Sequence, residues 1–191
     1  MPSSSSPTGV AMFMSADVVG STAFKASACD ASGRALWLEA FETLFRELPL
    51  IFIGKMAAAF IDQDYLPDSR VWKVMGDEMA FLAFPLSLTD AQRIVAAFHR
   101  TVTTYDRRLA GRWPSRIRGC CWAAELGERN RMIEIPEMVR GYRDSLGPDV
   151  DTGFRLSAEL ARIRTALSRE HGAEMAGPVF AAEASAARAD R

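Results

Sequence analysis

The stretch RVWKVMGDEMAFLAF, Arg70 to Phe84, constrains the fold of this chain more than any other part of it. Two short apolar runs flank Gly76 and Asp77, and a pattern of that kind folds back on itself as a β-hairpin. Gly-Asp is a slightly weaker turn pair than Asn-Gly, but the flanks are apolar on both sides. A lone hairpin is marginal in water, so the remaining sequence has to supply neighbouring strands and a cover.

It supplies them in alternation. Val10 to Val19 reads as a buried strand, β-branched and aromatic, with Gly20 ending it. A helical region follows from about Ser32, with Leu36, Phe41, Leu44 and Phe45 spaced for one face; Pro49 is expected to kink or divide it. The segment SLTDAQRIVAAFHRTVTTYDRRLA sets Thr89 and Gln92 at capping-box spacing and carries Ile94, Val95, Phe98 and Val102 on one stripe. RIRGCCWAAEL and RMIEI then read as strands, PEMVRGYRDSLGP as irregular, and about Val150 to His171 as a helix. No internal repeat is present. The order predicts an α+β fold, one mostly antiparallel sheet covered by helices.

Composition bounds the function classes. A length of 191 residues with 49% apolar content supports one core and little more. Residues 1–9 read as a flexible leader, 10–171 as the folded domain and 172–191 as an Ala-rich tail. The net charge of −1 gives no general attraction to nucleic acid or membrane. Between Arg100 and Arg143 arginines outnumber acids, which suits either a polyanion or solvated helix and strand faces. Cys29, Cys120 and Cys121 form no CxxC pattern, so a reducing, cytoplasmic setting is expected. The most apolar later run, LPLIFIGKMAAAFI, is interrupted by Lys55, is shorter than a membrane span of about 20 residues, and reads as buried helix. Two histidines, His99 and His171, are too few for a histidine metal cluster, and no GxxxxGK[ST] phosphate loop occurs.

Two carboxylates stand out. Asp17 ends the first strand in SADVVGST, and Asp77 lies in the hairpin turn. If the two turns meet at one edge of the sheet, the pair could hold Mg²⁺ or Mn²⁺ through oxygen ligands. Taken separately, Asp17 serves equally as a cap for a helix after Gly20, and Asp77 as a turn residue. In DSLGPDVDTGFRLSAEL, Arg155 lies one turn after Asp151, with Asp144 in the preceding loop. There Asp149 or Asp151 can be the helix cap and Arg155 an ion-pair partner.

Taken in order and at these separations, FMSADVVGST, KVMGDEMAFLAF and GPDVDTGFRLS resemble the class III nucleotidyl cyclases, over roughly Val10 to Leu160. The resemblance implies a ferredoxin-like α+β domain that works as a homodimer with composite sites at its interface. Asp17 and Asp77 match the family's metal-binding aspartates, with the backbone carbonyl of Val18 as a further ligand and two Mg²⁺ or Mn²⁺ ions per site. Amides around Gly20, Ser21 and Thr22 match the triphosphate-binding positions. Arg155 matches the arginine that stabilises charge on the α-phosphate. Lys73 and Asp144 match the base-reading pair of adenylate cyclases, which with the arginine comes from the subunit opposite the metal aspartates.

The implied reaction is intramolecular phosphoryl transfer in a nucleoside triphosphate, the ribose 3′-oxygen displacing pyrophosphate from the α-phosphorus. Two positions depart from the pattern. Asp151 stands where relatives have an asparagine that donates to the ribose, and the family's late phosphate-binding lysine has no counterpart after Lys73. The short architecture and the wording of the three motifs look most like the pyrimidine nucleotide cyclases of bacterial anti-phage (Pycsar) signalling. UTP is expected ahead of CTP, with Trp72 or Tyr142 as candidates to narrow the base pocket and Trp72 equally a core residue. The product would act on a separate effector. Adenylate cyclase is the alternative, followed by an inactive nucleotide-binding domain and a plain α+β interaction module.

Overall fold

A computed structural model describes residues 9–27, 29, 32–113, 115–135, 143–171 and 180–183. Tyr142 and most of the segment read as irregular lie outside them. The first strand, β1 (Gly9–Val19), is followed by a short helix α1 (Ser21–Ser27) and a long one, α2 (Leu36–Ala59). The hairpin forms as expected from β2 (Ser69–Met75) and β3 (Glu78–Ala83), with Gly76 at φ +66° in its turn. Helix α3 (Leu88–Ala110) leads into β4 (Arg116–Leu126), a short ribbon of β5 (Arg131–Glu134) with β6 (Arg143–Leu146), helix α4 (Pro148–His171) and β7 (Phe180–Glu183).

The main sheet has the order β2-β3-β1-β4-β7. Its first three pairings are antiparallel, and β7 joins the edge parallel to β4. Without α1, the β5–β6 ribbon, α4 and β7, the succession β1-α2-β2-β3-α3-β4 is the βαββαβ order of ferredoxin-like folds. Strand alternation decides what lies on each face. Met12, Met14, Ala16 and Val18 of β1 pack with Leu44, Leu48 and Phe52 of α2 and Phe98 and Val102 of α3. Ala11 and Phe13 point to the other face, where Trp72, Trp122 and Val150 form a second core under α4 and the β5–β6 ribbon.

Several sequence expectations are corrected. Helix α2 runs unbroken through Pro49. An interior proline costs about 3 kcal/mol, whereas burying Leu44, Leu48, Phe52 and Met56 along one face contributes about 1.5–3 kcal/mol for each side chain, so packing wins. The apolar run around Pro49 is only half buried, since Leu50 and Ile53 are exposed. The cap of α3 lies two residues earlier than Thr89: the Ser87 hydroxyl accepts from the Asp90 amide at 3.1 Å, and the Asp90 carboxylate accepts from the Leu86 amide at 2.9 Å. Strand β6 emerges from the segment read as irregular, and Phe180–Glu183 of the Ala-rich tail forms β7.

Several arginines of the basic stretch are paired within the chain. Arg108 meets Glu47, Arg112 meets Glu39, and Arg116 is bound to the buried Asp106. No helix among the described residues is long and apolar enough to cross a membrane.

Candidate functional site

Register places the first carboxylate. Asp17 faces Glu78 of β3 on one side and Arg118 of β4 on the other. By alternation from Ala11, Phe13 and Ser15, its side chain lies on the α4 face, and Arg118 bonds it there. This replaces the capping alternative, because α1 starts with Gly20 at φ +76° and its carbonyl accepting from the Phe24 amide at 3.0 Å. Burial pushes the Asp17 carboxyl up to about 6; Arg118 pulls against the rise, and the charges of Asp77 and Glu78 add to it.

The second carboxylate comes to the same end of the sheet through the hairpin turn. Asp77 directly precedes Glu78, the cross-strand neighbour of Asp17. Its Oδ1 lies 3.2 Å from the Lys25 ammonium of α1. Burial raises its pKa, but hydrogen bonds from the Ser21 hydroxyl and from Lys25 outweigh that, and the net direction is down. Asp17 and Asp77 therefore sit close enough for one to perturb the other, and each is neutralised by a basic side chain. Ser21 ties the start of α1 to the turn, and Thr22 is exposed beside it. The Val18 side chain is buried among α2 and α3, so only its backbone is available to a ligand.

Hard oxygen donors in mutual repulsion fit a divalent cation such as Mg²⁺ or Mn²⁺. Among the described residues no group of three or more His, Cys, Asp or Glu side chains is arranged to hold a metal. An ion at Asp17 and Asp77 would therefore complete its shell with backbone, water or substrate oxygens, as Mg²⁺ commonly does.

A second cluster forms on the same face. The register of β2 shifts between Val71 and Lys73, a bulge at Trp72. It turns the consecutive side chains of Trp72 and Lys73 to one face. The Trp72 ring lies 5.9 Å from that of Phe154, and the Lys73 ammonium sits 3.9 Å from the Trp72 centroid and 5.3 Å from Phe154. Lys73 donates to Asp144 Oδ1 at 3.0 Å, and the Ser145 amide donates to the same oxygen at 2.8 Å. Trp72 donates from Nε1 to the Arg143 carbonyl at 3.1 Å, fastening β6 to β2. Trp72 is buried in the core, its blander reading.

Helix α4 carries the third group. Gly153 and Ser157 face the sheet: a Cβ on Gly153 would meet Trp122 Nε1 at 2.1 Å, and the Ser157 hydroxyl is 3.4 Å from that of Ser15. Asp151 and Arg155, also four residues apart, are exposed. Arg155 lies two residues from the glycine that touches the sheet, about 200° around the helix, so it points away from the face that bears Asp17. Among the described residues no ion pair joins Arg155 to Asp151. The helix start is held from outside the helix: Asn130 Oδ1 accepts from the Asp149 amide at 3.2 Å, and Asn130 Nδ2 donates to Asp149 Oδ2 at 2.7 Å and to the Glu125 carbonyl at 2.9 Å. Neither Asp149 nor Asp151 is the cap.

Sequence reasoning missed Lys25, Glu78, Arg118 and Asn130. Only register brings Arg118 to Asp17 across 101 positions. Glu78 follows Asp77 in the quoted motif and was within reach by strand alternation; its Oε1 is buried without a hydrogen-bond partner, as is Nε of Arg118.

No protein-family model and no curated protein matches the sequence. Solved structures do. The adenylyl cyclase CyaB from P. aeruginosa aligns over 81% of this chain and 74% of its own, with 14% identity and a TM-score of 0.51. The monomeric guanylyl cyclase domain of the RhoGC fusion protein from the aquatic fungus Blastocladiella emersonii aligns over 79% and 75%, with 12% identity and a TM-score of 0.52. A bacterial light-regulated adenylyl cyclase aligns over 88% of this chain and 43% of its own, with 12% identity and a TM-score of 0.53. The α+β fold of this chain, a mostly antiparallel sheet with covering helices, is shared with these cyclase domains.

Proposed function

We propose that this chain is a nucleotidyl cyclase that converts a nucleoside triphosphate, UTP ahead of CTP, to a 3′,5′-cyclic nucleotide and pyrophosphate. The observation that carries the reading is the meeting of Asp17 and Asp77 at one end of the sheet, in a fold shared with cyclase domains. Asp17, Asp77 and the Val18 carbonyl would hold the divalent ions, two per site. Such ions supply Lewis-acid polarisation of phosphate oxygens and acidify a nearby hydroxyl.

The chain's own groups do the positioning. Gly20, Ser21 and Thr22 offer small side chains and backbone amides to the polyphosphate. Lys73 and Asp144 form a donor and acceptor pair suited to a base edge, above the Trp72 ring. Arg155 is permanently charged and suits the charge that builds on the α-phosphate as its bond to the 3′-oxygen forms and that to pyrophosphate breaks. Asp151, exposed one turn earlier, would take the position of the family's ribose-contacting asparagine.

Arg155 faces away from its own chain's carboxylates, which supports a homodimer in which each site takes Asp17 and Asp77 from one subunit and Lys73, Asp144 and Arg155 from the other. Pyrimidine preference rests on the wording of the three motifs. A second reading, adenylate cyclase, is favoured by the Lys73–Asp144 pair at 3.0 Å. The cyclic product would act on a separate effector protein, as an anti-phage messenger.

Incubation with Mn²⁺ and each of the four ribonucleoside triphosphates, with products identified by mass, tests this. Cyclic UMP is the expected product, with cyclic CMP second. Cyclic AMP alone would transfer the assignment to the adenylate reading, and no product across metals and protein concentrations would leave an inactive nucleotide-binding domain.

A further inference from the structure

Lys25 has a position that the cyclase reading does not use. Its ammonium lies 3.2 Å from Asp77 Oδ1 and 5.0 Å from the centroid of Phe41 on α2. A divalent ion held by Asp77 takes the place of that ammonium, since two cations cannot share one carboxylate oxygen at this distance without strong repulsion. The other resting cation, Arg118, is less free to move: it rises from the middle of the sheet and its Nε is buried. Lys25 differs. It stands on a short surface helix, is 36% exposed, and its ammonium ends a flexible four-carbon stem.

Charge balance indicates where the displaced ammonium goes. A nucleoside triphosphate brings about as much negative charge as two divalent ions bring positive. The two basic side chains at the carboxylates can then stay and change partners. The chain has three lysines. Lys73 is committed to Asp144, and Lys55 lies on α2, so Lys25 is the one at the carboxylate end of the sheet.

We propose, on the basis of the cyclase reading, that Lys25 is a triphosphate-binding residue which exchanges Asp77 for the phosphate oxygens when the metal-bound triphosphate enters. Resting, it competes with the metal; with substrate present, it supports the same complex. Its removal should therefore act with opposite signs on two equilibria.

The test uses the full chain as wild type, Lys25→Met, Lys25→Arg and Asp17→Ala, with Mn²⁺ alone and Mn²⁺ plus inorganic tripolyphosphate as probes. Free Mn²⁺ is read by electron paramagnetic resonance and tripolyphosphate binding by calorimetry, with thermal unfolding confirming that each variant is folded. Tripolyphosphate carries no base and cannot be cyclised, so the result is independent of base preference and turnover. Lys25→Met should bind Mn²⁺ alone about two- to fivefold more tightly, as expected for loss of a partly exposed ion pair. It should bind Mn²⁺-tripolyphosphate at least about tenfold more weakly, as expected for loss of a charge-assisted hydrogen bond. Lys25→Arg should recover most of the tripolyphosphate affinity. Wild-type binding of Mn²⁺-tripolyphosphate that is unchanged in Lys25→Met overturns the inference and leaves the cyclase reading intact. Failure of the wild type to bind Mn²⁺ any better than Asp17→Ala overturns both.

Discussion

Asp17 is a residue that the fold holds in a state it does not favour. Burial raises its carboxyl to about 6 from an unfolded value of 3.8, in spite of Arg118. The native state thus binds more protons than the unfolded state between about pH 4 and 6, and stability from this group falls as pH rises through that window. At neutral pH the ionised side chain costs on the order of 1–3 kcal/mol, which a divalent ion would relieve. Asp17→Asn should therefore raise unfolding free energy at pH 7 by that order and flatten the pH 4–6 slope, while abolishing product formation. Urea denaturation across that range checks it, and a variant less stable than wild type at pH 7 would refute the account. The position of Asp17 at a strand end was legible in SADVVGST. Its bond to Arg118 was not, because a cross-strand partner 101 residues away leaves no local periodicity.

At the level of elements, α4 is fixed by two devices. Gly153 lets the helix lie against Trp122, where a Cβ would come within 2.1 Å of Nε1. Gly153→Ala gains about 1 kcal/mol of helix propensity but must move α4 off β4, an overpacking cost of about 1–3 kcal/mol. Net destabilisation is expected, with a fall in kcat larger than any change in KM because Arg155 moves with the helix. Thermal unfolding and steady-state kinetics report the two effects. Asn130→Ala removes the two bonds that join the β4–β5 turn to the start of α4 and a third to the Glu125 carbonyl of β4, and should cost about 1–3 kcal/mol, since the Asp149 amide and the Glu125 carbonyl lose their partner. A loss below a few tenths of a kcal/mol in denaturant titration would show that the helix start is held by other contacts.

The elements differ in how clearly the sequence announced them, and the difference is physical. Gly76-Asp77 with apolar flanks marks a hairpin through local chemistry alone. Pro49 signals a break locally, but the buried stripe from Leu44 to Met56 overrides it. RDSL in β6 has no apolar alternation; it pairs with β5, and Trp72 and Lys73 fasten Arg143 and Asp144 to β2 across 71 positions. Thr89 and Gln92 have the spacing of a capping box, yet Ser87 holds the cap because Asp90 can reach back to Leu86 and is also bonded by Tyr65 at 2.8 Å. Local motifs located the candidate residues; register and tertiary pairing decided their company.

For the whole molecule, the placement of α4 raises the question of how one chain could complete a site. Gly153 and Ser157 take the sheet-facing side, so Arg155 and Asp151 are directed outward by helical geometry rather than by choice of rotamer. A rigid monomer would then hold its carboxylates and its α4 arginine on different surfaces, and the proposed two-fold dimer would bring one subunit's arginine to the other's carboxylates. Asp17→Ala and Arg155→Ala proteins, each inactive alone, should regain activity when mixed. Random exchange in an equal mixture makes half the dimers mixed, and each mixed dimer has one intact site of two, so recovery should approach about a quarter of wild-type specific activity. Subunit exchange is verified independently with differently tagged chains. Exchange without recovered activity would mean that Arg155 serves its own chain, and α4 would then have to turn relative to the sheet during the reaction, at the cost of the Gly153–Trp122 contact that now fixes it.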